Sequence, residues 1–248
     1  MSSSFILQAA GTLLFAFLLG YLGYPNLFFL LAILEVGKLL AVFAYKESRK
    51  ERVDRKMSLR EAYSFKIEKN LKVLSVSSAI GSLGFGIAHG FLLPLYLMSK
   101  YGLDAYQMSL VTAVHRLSFM TTPLADKFIG RLGLRRTYIL SLSAYVVSFL
   151  SVGLITFPIL IFVPIFLIHD LLGGGIGSTA MNVIMQNHTN EKTRAREFNA
   201  FNAVQTPIVI IAPSIASILA AASWDYIFIV GGLLYLVSLI VFSLVFKD

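Results

Sequence analysis

Apolar runs of about twenty residues recur along the chain, separated by short polar connections. Eight such runs can be marked: Phe5–Tyr24, Leu27–Tyr45, Val73–Met98, Tyr106–Ala125, Thr137–Phe157, Ile159–Met185, Phe201–Ala222 and Tyr226–Phe246. At ~1.5 Å per residue, each is long enough to cross a hydrocarbon layer of ~30 Å as a helix. The pattern predicts an all-α polytopic membrane protein.

The connections alternate in character. Residues 46–72 carry ten Lys and Arg, residues 126–136 carry four, residues 186–200 carry three, and Lys247 lies after the last run. The connections around Pro25, Lys100, Pro158 and Trp224 hold Lys100 alone. Basic residues mark the cytoplasmic side of membrane proteins, so strict alternation over eight helices predicts both termini inside. Tyr21, Tyr24, Tyr96, Tyr101, Tyr106, Trp224 and Tyr226 fall near the opposite ends, as an interfacial aromatic belt does.

Composition agrees: 57% of residues are apolar and 14% charged, outside the soluble range. The net charge of +8 suggests nucleic acid until its placement is seen. It orients the helices, and a nucleic-acid partner is excluded. With no cysteine, disulfides, thiol nucleophiles and thiolate metal sites are excluded as well. The start, MSSSFILQ, lacks a charged n-region and a cleavage site, so the first run is expected to remain as a helix. In residues 46–72, Ser58 and Glu61 form a capping-box pattern that predicts a helix from Leu59. The sequon at Asn187–Thr189 lies on the expected cytoplasmic side and is read as chance.

Between the fourth and fifth runs, residues 122–136 read TPLADKFIGRLGLRR. An acid (Asp126), four bases and two glycines in so short a connection predict a sharp turn whose carboxylate is satisfied locally. Leu124, Ala125, Asp126 and Lys127, followed by Gly133, Arg135 and Arg136, resemble the acid–glycine–double-basic signature of the major facilitator superfamily. That signature lies between the second and third helices of each six-helix half. Three further stretches are similar to the family: GFLLPLYL (90–97), LLGGGIGSTAMN (171–182) and TRAREFNAFNAV (193–204). The resemblance implies a division into residues 1–45, the last two helices of a first half; 46–72, the central linker; and 73–248, a six-helix second half. It further implies a multi-pass protein of the cell membrane that is not an enzyme, needs no cofactor, and moves a small molecule by alternating access. Four helices of the usual twelve are absent, so a second half or another copy of the chain is expected as partner. A non-transporting scaffold or a truncated remnant is the alternative. The resemblance also implies that Asp126, held by the nearby arginines, acts as a gate at a helix N-terminus, with Ser2–Phe5 as the recipient.

Ionisable groups inside apolar runs are costly unless paired or facing water, and they mark function. Here they are Glu35, Lys38, His89, His115, Arg116, His169 and Asp170. Counted inward from the outer ends, Glu35, His89, Arg116 and Asp170 all fall ~15 Å deep, near the midplane. A shared midplane layer is what a transporter's binding and coupling residues require.

Plainer readings stand beside this one. Glu35 and Lys38, at i,i+3, can neutralise each other on one helix face. Arg116 and Asp170 are expected to form an interhelical ion pair. The histidines either relay protons, which suggests proton coupling, or join helices by hydrogen bonds. Asn202 and Gln205 share a face and either line a pathway or bridge helices. The linear spacing of the histidines and Asp170 matches no metal-ligand pattern, and no metal is expected. Glycines 173, 174, 175 and 177 lack the strand and lysine of a phosphate loop and are read as a site of close packing or bending. Pro94, Pro164, Pro207 and Pro213 are expected to bend their helices.

Overall fold

A computed structural model describes residues 2–44, 68–90, 92–191 and 193–247, and every regular element among them is helical. In chain order these are α1 (Ser2–Ala44), α2 (Lys69–Ala88), α3 (Leu92–Tyr101), α4 (Ala105–Ser118), a 3-10 segment (Phe119–Leu124) and α5 (Ala125–Leu132). There follow α6 (Leu134–Leu154), α7 (Ile159–Ile168), a π-helical segment (His169–Gly177), α8 (Ser178–Asn187), α9 (Arg194–Ala222) and α10 (Trp224–Val245). The helix expected from Leu59 lies outside the described residues. Among these, α2 starts at Lys69, where the Glu68 carboxylate accepts a hydrogen bond from the Leu71 amide at 3.1 Å.

Among the described residues, six helices are long and apolar enough to cross a membrane: Pro25–Phe43, Lys69–Ala88, Leu134–Leu154, Ile159–Asn187, Arg194–Ala222 and Trp224–Val245. Eight runs were marked in the sequence. The first falls short: α1 breaks at Gly23 (φ 68, ψ 167), a conformation reserved for glycine, and the apolar segment before it is the shorter Ala10–Gly23. The fourth run is not one α-helix, because hydroxyls and a proline interrupt it. Ser118 Oγ donates to the His115 carbonyl, Thr122 Oγ1 to that of Phe119 (2.8 Å), and Thr121 Oγ1 across to that of Leu171 (2.7 Å). Pro123 has no amide to donate. The chain tightens into a 3-10 turn before continuing as α5.

Two further expectations are corrected. The third run breaks upstream of Pro94, at His89 and Gly90, and Pro94 stands in the first turn of α3, where amides have no partner anyway. Residues 126–136 are not a loop. Helix α5 runs to Leu132, and the turn is confined to Gly133 (φ 80, ψ 162), after which α6 begins.

The helices after residue 68 pack by close approach of small residues, since lipid tails give apolar side chains no preference for one another. Helices α2 and α10 meet where Gly84 faces Gly231. A Cβ at Gly84 would fall 2.7 Å from the Gly231 carbonyl oxygen. The same pair is pinned by Ser77 and Ser238, whose hydroxyls lie 2.9 Å apart, and Ser238 Oγ donates to the Ser77 carbonyl at 2.8 Å. Around this seam Phe149, Phe228 and Phe242 are fully buried. By contrast, Pro25–Phe43 is almost wholly exposed, with Phe28, Phe29, Val42 and Phe43 outward.

The turn at Gly133 yields a paired prediction. Gly133→Ala forces a side chain into a disfavoured region and should cost about 1–3 kcal/mol. Gly130→Ala, in a helix with open space around it, should gain about 0.5–1 kcal/mol. Thermal unfolding in detergent should therefore move in opposite directions for the two variants.

Candidate functional site

Three interruptions of regular α-helix meet at one place, and the ionisable side chains lie on them. His89 occupies the break between α2 and α3. His115 is in the last turn of α4, against the 3-10 segment. His169 and Asp170 open the π-helical segment. A π-helix carries one extra residue per turn, and its glycines admit neighbours that a Cβ would exclude. At Gly177 a Cβ would overlap Ser141 Oγ, and at Gly173 the Tyr145 ring. The glycine-rich stretch is thus the site of close packing the sequence indicated, and it places His169 and Asp170 inward. Both have no exposed surface, His115 is buried, and His89 is partly exposed.

The four side chains form a continuous polar chain. His89 Nε2 lies 2.5 Å from His115 Nε2. His115 Nδ1 contacts Asp170 Oδ2, and Asp170 Oδ1 lies 3.2 Å from His169 Nε2. His169 Nδ1 donates to the Phe166 carbonyl, which also accepts from Ser148 Oγ at 3.0 Å. Although close, the contacts to the carboxylate are not aligned as hydrogen bonds. His115 Nδ1, His169 Nε2 and both Asp170 oxygens are buried without a hydrogen-bond partner. Aromatic rings wall the cluster from lipid. Phe85 and Phe166 stack on the two faces of His89 with centroids at 4.4 and 5.7 Å, and Phe149 lies 4.9 Å from His169.

Next to it lies a cavity of about 630 Å³, lined by Ser78, Ser82, Phe85, Tyr145, Gln205 and Tyr235, among others. Gln205 spans from α9 to α2, donating to Ser78 Oγ at 3.0 Å and accepting from Ser82 Oγ at 3.2 Å. Tyr145 and Tyr235 stack in parallel, with centroids 4.2 Å apart. On the far side of the cluster the helix ends are packed shut. Tyr96 sits against Phe228, Phe162 and Trp224, and Tyr101 donates to the Phe157 carbonyl. Lys100 and Asp225 form an ion pair of 2.7 Å, with the Lys100 ammonium over the Tyr96 ring.

The profile of the Major Facilitator Superfamily matches residues 1–208. The chain belongs to this superfamily. Among solved structures, a bacterial homologue of the iron transporter ferroportin, captured in an inward-facing state, shares its fold. The TM-score is 0.63 at 18% identity, over 73% of this chain and 46% of that one. This facilitator chain therefore spans less than half the length of that structure. No curated protein matches it.

Of the residues singled out in the sequence, His89, His115, His169 and Asp170 come together, and Gln205 lines the adjacent cavity. Glu35 and Lys38 pair with each other at 2.5 Å on the exposed face of α1, away from the cluster. Asn202 is exposed and is not on the cavity wall. The expected Arg116–Asp170 pair is corrected. Arg116 is next to His115 on the helix but turned about 100° from it, and it lines a separate open hollow with Gly11, Thr12 and Phe15 of α1. The aspartate is taken by His115 and His169 instead. Within the signature, Asp126, Lys127 and Arg136 are exposed, and Asp126 sits in the first turn of α5. Arg135 donates to the Ser243 carbonyl at 2.7 Å, fastening α6 to the end of α10, while Gly133 makes the turn. The side chains of Ser2–Phe5, the expected recipient of the Asp126 gate, lie outside the described residues. Sequence reading missed Ser78, Ser82, Tyr145 and Tyr235. The serines of VSSAIGS (76–82), polar groups recurring in an apolar run, were the available signal.

The corrected pairing is testable by double-mutant cycles on detergent unfolding. His115→Gln and Asp170→Asn should couple by about 0.5–3 kcal/mol, as contacting residues do. Arg116→Gln and Asp170→Asn should couple by less. The reverse order would restore the Arg116 pair.

Proposed function

We propose that the chain forms part of a secondary transporter that moves a small solute across the membrane by alternating access. The observation that carries this reading is the asymmetry about the histidine–aspartate cluster. One side borders the 630 Å³ cavity, with Phe85, Tyr145 and Gly173 between, and the other is sealed by packed aromatic rings and the Lys100–Asp225 pair. A polar centre with a cavity on one side only is the arrangement an alternating-access cycle passes through. The Lys and Arg distribution supports a cytoplasmic cavity mouth and cytoplasmic termini. The cluster, a buried polar chain on helices that already depart from α geometry, is where solute movement would be coupled to a cation, a proton in the simplest case.

A site of this kind is enclosed between two halves. The exposed apolar helix Pro25–Phe43 and the open side of the cavity are the surfaces on which further helices would close, from a longer chain, a partner or a second copy. The same two features favour a second reading, a membrane scaffold that does not transport and serves only to hold such a partner.

The absence of native cysteine makes the test direct. In the native membrane, Ser82→Cys should react with a membrane-impermeant thiol reagent from the cytoplasmic side and resist it from the other. Adding Lys100→Ala removes a pair whose contribution is about 1 kcal/mol or less, and should bring measurable labelling from the outer side. Labelling that stays one-sided whatever is done to Lys100 and Asp225 would favour the scaffold.

A further inference from the structure

The histidine–aspartate cluster turns polar atoms toward one another around a point that calls for a positive charge. The Phe166 carbonyl can only accept, so His169 Nδ1 carries a hydrogen, and a neutral ring then points the lone pair of Nε2 inward. What it faces, 3.2 Å away, is Asp170 Oδ1, also a lone-pair bearer and also without a hydrogen-bond partner. Two acceptors are held face to face with no exposed surface, so a positive charge belongs between them. Phe85, Phe149 and Phe166 pack their rings around His169.

We infer that His89, His169 and Asp170 form a binding site for one divalent transition-metal ion. Donor atoms of His89, His169 and Asp170 all lie within 4.8 Å of one another. His115 bridges two of these ligands, with Nε2 against His89 and Nδ1 against the carboxylate, and so holds them in position. Metal–nitrogen bonds of ~2.0–2.1 Å give a tetrahedral site donor separations of roughly 3.4 Å. The side chains therefore have to close in by about an ångström. A carbonyl or carboxylate on the far nitrogen is the usual support of a metal-binding histidine, because it fixes the tautomer and aims the other lone pair at the metal. Phe166 and Ser148 provide this for His169. Two imidazoles and one carboxylate suit zinc, cobalt, iron or nickel, and not magnesium or calcium, which favour all-oxygen sites. His89 is partly exposed, and Gly86 and Gly90 beside it in the chain line the cavity, so it is the ligand nearest an entering ion. The sequence hid the site because its ligands come from two separate segments and neither has the short spacing that marks a metal motif.

The full chain, purified in detergent and stripped of metal with a chelator, is titrated with cobalt(II) and then with zinc(II). Saturation at one cobalt per chain, with the visible absorption of a low-symmetry nitrogen–oxygen site that zinc bleaches, is the expected result. Asp170→Asn and His169→Gln should each weaken binding by more than about 100-fold, beyond the range that outer-shell changes reach. His188→Gln, on the remaining histidine, which sits by Glu68 far along the chain from the cluster, should leave the titration unchanged. If the Asp170 and His169 variants do not fold, X-ray absorption on the cobalt-loaded wild type decides: imidazole scattering supports the site, and an all-oxygen shell overturns it. Absence of saturable binding by folded wild-type protein also overturns it, as does loss of binding in His188→Gln with retention in His169→Gln. The sidedness of Ser82→Cys labelling does not depend on metal, so either reading can fail without the other.

Discussion

Inside a bilayer every backbone amide and carbonyl must find a partner within the protein, and this rule is what gives the three irregular segments their meaning. Uniform α-helix satisfies it at no further cost. Here the chain departs from α geometry at His89 and Gly90, over Phe119–Leu124 and over His169–Gly177, and these departures lie against one another. Each supplies what another lacks: Thr121 of the 3-10 segment donates to Leu171 in the π segment, and Gly174 leaves room for the Phe119 ring. Irregular backbone at membrane depth is tolerated where it is buried in protein or borders a cavity, and both conditions hold here.

The ionisable residues sit on these same segments, and physical necessity links the two facts. A carboxylate with no exposed surface carries a desolvation cost of several kcal/mol. Only donors brought close from other helices can offset it. A straight helix would present Asp170 with neighbours at i±3 and i±4 on its own surface. The π segment rotates it, with His169, toward α4 and the α2–α3 break. His115 can then reach the carboxylate while His89 reaches His115. Stacking of Phe85 and Phe166 on His89 holds the outermost ring in line and excludes water from the inner ones. The site is thus preorganised by defects in secondary structure more than by hydrogen bonds among its members.

Much of this architecture was legible in the chain, and the parts that were not share a cause. Apolar run length located most of the helices, because bilayer thickness acts on every span alike. The depth count brought His89 and Asp170 to one level, because rise per residue hardly varies. Depth says nothing of azimuth, however. Arg116 and Asp170 share a level yet face different neighbours, and the adjacent His115, about 100° around the helix, took the place assigned to Arg116. The stop at Ser118 was likewise hidden. It arises from hydroxyls competing for carbonyls, one of them on another helix, and no local propensity encodes that. The signature at residues 122–136 was read correctly as a turn but given too long a loop, since Gly133 alone suffices once α5 continues to Leu132.

The distribution of tight and loose packing separates what this chain completes by itself from what it does not. The α2–α10 seam, with glycine against glycine and paired serines, is as close as backbones come. The aromatic seal around Tyr96 and the wall behind His169 are similarly full. Helix Pro25–Phe43 and the outward side of α9, with Val209, Ile210 and Ile218, bury little. Lipid satisfies such surfaces as well as protein does, so their exposure carries no penalty in a membrane and does not by itself demand a partner. The cavity is different. Gln205, Ser78 and Ser82 present polar groups to an opening that lipid tails cannot solvate. A polar wall of this kind is stable only against water or against further protein, and alternating access needs both, one on each side in turn.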